Sequence, residues 1–168
     1  MRGIGALLVL AAGFWLGSQR AAALRRRAEQ LGQVLAMLDI LAGEIVFRGV
    51  PLQEALERSA QGRGAVGEMF LLAARRLETD GLRLAWREAL GWAAEHTALQ
   101  AEDLRPLEPL GDTLGQYDGE TQAGQVKQAC ALLERQRLSA QQEWKNKGRV
   151  YRASSLTMGA IVALALMG

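Results

Sequence analysis

Two carboxylates, Glu44 and Glu54, stand on either side of the run Phe47-Arg48-Gly49-Val50-Pro51, and a third, Asp118, stands where a later helix begins. Carboxylates so placed could hold an ion, meet a cationic surface on a partner, or serve the chain itself as caps and surface ion pairs. For Glu44 and Glu54 the bland reading is a capping or surface pair at the junction of two helices. The sharper reading is contact with a partner or an ion. Asp118 is placed as an N-cap residue would be. The three form the candidate partner-binding set.

Enzymatic chemistry lacks its parts. There is no Gly-x-x-x-x-Gly-Lys-Ser/Thr loop to cradle a phosphate, no Gly-x-Ser-x-Gly and no His-Glu-x-x-His. One histidine and one cysteine leave no zinc site of the usual Cys/His kind, and a single cysteine excludes an internal disulfide. His96, at a helix end between Glu95 and Thr97, reads as a surface or capping residue rather than a general base. Cys130 lies on an apolar helical stripe and reads as core. Glu102-Asp103 reads as a solvated pair on a loop. Trp86, Trp92 and Trp144 read as core or inter-helix packing, and Trp15 as membrane-facing. No catalytic residue, cofactor or metal site is expected, and no turnover.

The elements that must position these residues begin and end in apolar runs. Gly3 to Gln19 carries no charge and is followed by Arg20, Arg25, Arg26 and Arg27; Ala153 to Gly168 carries none and is preceded by Lys145, Lys147, Arg149 and Arg152. Basic collars on apolar runs mark membrane entry from the cytoplasmic side. The runs are seventeen and sixteen residues, short of the ~20 that cross a bilayer. The first lengthens through Ala21–Leu24 if Arg20 snorkels to the headgroups, the second by borrowing Val150 and Tyr151. A cleaved secretory signal, with Ala21-Ala22-Ala23 as its cleavage region, is the rival for the first run; the unbroken helical pattern past those alanines favours a retained span. A buried core helix is the rival for the second. The chain therefore divides into an N-terminal span, 1–20, a cytoplasmic domain, 21–152, and a C-terminal span, 153–168, with both termini outside. With a net charge of only +2, nucleic acid is not an expected partner.

The domain reads as all-α. Leu24, Ala28, Leu31, Leu35, Leu38, Ala42 and Ile45 recur in steps of three and four, one apolar helical stripe that continues the first run. Gly49 and Pro51 punctuate the stop of that helix and the start of the next. Further helices are expected over about 51–59, 66–78 and 82–95, with a less regular stretch from Thr97 to Pro109 and a break at Gly115. A last long helix starts at Gly119 and runs into the second span. The result is a bundle of about six helices with short, antiparallel connections, continuous with both spans and without strand signals.

Two stretches carry a family resemblance. Glu44-Ile45-Val46-Phe47-Arg48-Gly49-Val50-Pro51-Leu52-Gln53-Glu54-Ala55-Leu56 resembles the signature of the stage III sporulation protein AB family of endospore-forming bacteria. Leu110-Gly111 and Leu114-Gly115 with Asp118 and Gln122 are similar to that family's second motif. The layout of span, helical domain and basic terminal span fits the family from end to end. The resemblance implies a domain like that of the inner-membrane platform proteins of type II secretion and type IV pilus systems. It also implies a place in the outer forespore membrane facing the mother cell, within a channel complex, beside a secretion-type ATPase and the other membrane proteins of that complex. A different class stays open: a structural membrane protein that forms homo-oligomers through its spans, for which Gly13 and Gly17, four apart, offer a small-residue face.

Overall fold

The computed structural model describes the backbone of residues 2–167 and the side chains of residue 19 and residues 22–146. Helix α1 (Arg2–Gly43) opens the chain and α7 (Gly119–Met167) closes it. Between them lie α2 (Leu52–Ala60), α3 (Gly64–Asp80), α4 (Leu82–His96) and two single turns of helix, α5 (Ala101–Leu104) and α6 (Leu110–Thr113). The described residues contain no strand, as the sequence periodicity predicts.

Of the two expected spans, residues 2–20 lie within α1 and residues 153–167 within α7, but apart from Gln19 their side chains fall outside the described residues, so their assignment as spans does too. Within the described residues one helical stretch, Ala22–Arg48, is long and apolar enough to cross a membrane. Length and composition make it consistent with membrane association. Its burial gives it another task. Leu31, Val34, Met37, Leu38 and Leu41, spaced three and four apart, are wholly buried and form the spine of the domain core.

Helices α1 and α7 pair antiparallel. At one end Trp144 lies against Arg25, whose guanidinium carbon is 6.0 Å from the indole centroid. Midway, a Cβ on Gly32 would lie 3.8 Å from Arg137; at the far end one on Gly119 would lie 3.7 Å from the Ile45 carbonyl. Partners on α7 thus fall in number as those on α1 rise. Helices α2, α3 and α4 cover one side of this pair and bring Leu56, Met69, Phe70, Ala73, Trp86 and Ala89 into the same core. Short connections keep them antiparallel neighbours, as expected.

Past α1 the chain widens into one π-turn, Glu44–Arg48, and the helical stretch ends, as expected, at Gly49 in the left-handed region, φ 59°. One expectation needs correcting: Glu102-Asp103 is not a solvated loop pair. Asp103 is 0 % exposed and Arg27, counted above among the membrane collar, is only 6 % exposed. The Arg27 guanidinium donates from Nε and Nη2 to the two Asp103 carboxylate oxygens at 2.8 Å, and Nη2 also reaches Glu102. This bidentate pair bolts α1 to α5 and holds the Arg27 guanidinium above its ordinary pKa.

Candidate functional site

The π-turn, the start of α2 and the start of α7 meet at one end of the bundle. Glu44 lies on the inner side of the π-turn and is buried. Its two oxygens each take one guanidinium at 3.3 Å, Arg48 on Oε1 and Arg58 on Oε2. Arg58 reaches Glu54 with its other terminal nitrogen, along one face of α2. The two carboxylates therefore share Arg58, which ties the end of α1 to α2 across the Phe47–Pro51 corner. Sequence reading missed Arg58, although its place four residues after Glu54 is where a helical ion partner sits. Glu54 is half-exposed, with its outer edge open to solvent.

Asp118 caps α7. Its Oδ1 accepts the Thr121 backbone N–H at 3.0 Å and its Oδ2 the Thr121 hydroxyl at 2.7 Å. The hydroxyl and backbone donors of Thr121 hold the Asp118 carboxyl below the usual carboxylate range. Next to it, buried Gln122 reaches back over the turn: its Oε1 accepts the Gly115 N–H at 2.8 Å and its Nε2 donates to the Tyr117 carbonyl. Gly115 itself sits at φ 75°, and a Cβ there would lie 3.3 Å from Leu52, so the turn needs glycine for conformation and for close approach to α2. With Gly119 against Ile45 and Val46, the two motif stretches, more than fifty residues apart in the chain by their numbering, form one structural unit.

That unit leaves apolar side chains in water. Phe47 is 88 % exposed, and Tyr117 and Val46 are exposed in the same unit. Arg48, Glu54 and Asp118 belong to the same unit, Arg48 and Asp118 exposed and Glu54 half-exposed. A bare aromatic ring costs apolar hydration that folding leaves unrelieved, and an aromatic group with a polar rim has the make-up of a protein-contact patch. Sequence periodicity cannot reveal this, because Phe47 falls in the π-turn, where helical spacing no longer reports the buried face.

The other candidates resolve into structure. His96 is exposed at the end of α4, with Nδ1 2.9 Å from the Trp92 carbonyl and its ring stacked on Trp92 at 4.6 Å. Cys130 is half-buried, and burial, helped by Asp39, pushes its thiol pKa up, away from reactivity. Trp86 is core, its Nε1 donating to the Leu107 carbonyl at 2.8 Å. Trp144 is only partly inter-helix packing, since it remains 36 % exposed. Trp15 lies outside the described side chains.

The family model described as "Stage III sporulation protein AB (spore_III_AB)" matches residues 2–167. The chain belongs to this family. The stage III sporulation protein AB of Bacillus subtilis (strain 168) is 26 % identical over 167 residues, which cover 98 % of each chain. A solved structure of a stage III sporulation protein AB is similar with a TM-score of 0.65 and 28 % identity, over 71 % of this chain and 97 % of that one. The family resemblance read from the Glu44–Leu56 and Leu110–Gln122 stretches is thereby established, and those stretches are the ones that build the exposed tip.

Proposed function

We propose that this chain is a non-enzymatic membrane platform of a secretion-like sporulation channel complex linking mother cell and forespore, with its tip as the dock for a secretion-type ATPase. The observation that carries the reading is the convergence of both motif stretches on an end that bares Phe47 and Tyr117. The antiparallel register of α1 and α7 puts that end opposite Ala22 and Asn146, where the apolar runs leave the described domain. Helix geometry places it roughly 30 Å away along α1 at ~1.5 Å per residue, which is reach enough for a soluble motor to meet it clear of the bilayer. Phe47 and Tyr117 supply the apolar contact and Glu54 and Asp118 its charged rim. Glu44 acts from behind, through Arg48 and Arg58, by holding the corner in shape.

Exchange of Phe47→Ser with Tyr117→Ser tests the dock better than charge reversal at Glu44, which would break the corner itself. Both side chains are exposed, so thermal stability of the full-length protein should not change. Co-purification with the ATPase should weaken by about 2 kcal/mol or more, roughly thirtyfold. Undiminished co-purification by the folded double variant removes the tip as the dock. A homo-oligomeric scaffold without a motor is the alternative, and crosslinks between copies with no ATPase retained would favour it.

Orientation is tested separately. In a Cys130→Ala background, a cysteine is placed at exposed Gln61, the protein is produced in non-sporulating cells so that it enters the cell membrane, and these intact cells are treated with an impermeant maleimide. The positive-inside arrangement requires labelling only after permeabilisation. Labelling of intact cells would put the tip on the wrong side of the membrane for any cytoplasmic motor.

A further inference from the structure

A second surface lies away from the tip. A groove of about 560 Å³ runs between α7 and the α5–α6 segment, within the size range of sites that hold short segments of a ligand. Its apolar lining is buried Leu110 and Ala129 with Pro106, Pro109 and Leu132, the last 43 % exposed. Arg105 and Arg135 line it as well, both exposed and neither with an ion partner among the described residues. The one carboxylate in the lining, Glu102, touches Arg27, which Asp103 already pairs, so it offsets part of the charge. Two guanidinium groups against that one carboxylate leave the groove with an excess of positive charge beside exposed leucine and proline.

A further group in the lining is incompletely bonded. Gln136 donates from Nε2 to the Glu102 carbonyl at 2.6 Å, while its Oε1 is covered and has no partner among the described residues.

We infer that this groove docks a short acidic, leucine-bearing segment of a partner protein, at a place distinct from the tip. Guanidinium groups pair with carboxylates through two parallel hydrogen bonds, which suits Arg105 and Arg135 to Asp or Glu. Leu132 and the two prolines require an apolar side chain between the acids, so inorganic phosphate or another small anion would leave half of the groove unused. The α7 wall from Gln125 to Gln136 is roughly 16 Å long at ~1.5 Å per residue. An extended peptide of about five residues at ~3.3 Å each spans it.

The test uses full-length protein in nonionic detergent and a fluorescent peptide that alternates Asp or Glu with Leu, titrated to about 1 mM. Its counterpart with Lys in place of every acid is the control. Saturable binding of the acidic peptide is expected, with weakening at high salt. Arg105→Glu with Arg135→Glu should weaken it about tenfold or more, Leu132→Ser should weaken it too, and Phe47→Ser with Tyr117→Ser should leave it unchanged. No saturable binding, equal binding of the lysine peptide, or equal binding by the Arg105→Glu, Arg135→Glu protein with an unaltered melting temperature would each overturn the inference. Self-association abolished by the same arginine pair would overturn it in favour of a second copy of this chain as occupant.

Discussion

Replacing Asp103 with alanine is expected to remove about 3–5 kcal/mol of stability, the range for breaking a buried ion pair by deleting one partner. Asp103 is fully covered, and its carboxylate takes both Arg27 donors and the Gln100 backbone N–H at 2.8 Å. Alanine leaves the Arg27 guanidinium inside with only Glu102, whose carboxylate is largely in water, and leaves the Gln100 N–H without its acceptor. Marginal stability makes a loss of that size comparable to the whole stability of many domains. Denaturant unfolding of the full-length protein in detergent, followed by tryptophan fluorescence, should show the midpoint fall steeply. A loss below about 1 kcal/mol, the level of an exposed pair, would mean that water reaches the site. Arg27→Met combined with Asp103→Leu should recover most of the loss, because well-packed apolar replacements of a buried pair are often neutral or better. The double variant thus separates the burden of a lone buried charge from the value of the pair.

How much of this was legible in the chain differs from residue to residue. The stripe through Leu31, Leu35, Leu38 and Ala42 predicts α1 and its buried face, because packing of one helical face leaves a period of three to four. Gly49 and Asp118 mark helix ends where they are found, since their local backbone and capping chemistry does not depend on distant residues. The Arg27–Asp103 pair was not legible. Arg27 follows Arg25 and Arg26, and local composition assigns all three to a membrane collar, whereas the structure pairs Arg25 with Glu29 four residues on and turns Arg27 inward. The partner that decides this lies seventy-six residues away, beyond any local pattern. The candidate carboxylates were legible as a group at one corner but not in their roles. Glu44 and Glu54 flank the turn as expected, yet only the folded chain shows that Arg58 already serves both. Gln122 and Gly115 stand out as motif residues, and the fold supplies the reason: the amide closes the turn that lets α7 start against α2.

Trp86→Ala should cost about 3–5 kcal/mol, as for truncation of other buried large aromatics. The indole is 1 % exposed, meets Phe70 edge-on with centroids 5.4 Å apart, and donates to the Leu107 carbonyl. These contacts join α4 to α3 on one side and to the segment holding α5 and α6 on the other, so the loss should loosen the segment that carries Asp103 and the second motif. Gly111 offers an internal check on that mechanism. A Cβ at this position would lie 2.9 Å from Cδ1 of Trp86, and the indole has no room to yield because both its edge and its N–H are held. Gly111→Ala alone should therefore destabilise by overpacking, by about 1–3 kcal/mol. In the Trp86→Ala background the obstructing ring is gone, and Gly111→Ala should become neutral, or stabilising through the helix propensity of alanine. A double-mutant cycle by denaturant unfolding reads this coupling directly. Additive losses would mean that α6 and α4 separate freely, and that Trp86 fills space without fixing where the second motif stands. Strong coupling would mean that one indole sets the distance between the core and the turn from which α7, Tyr117 and Asp118 rise.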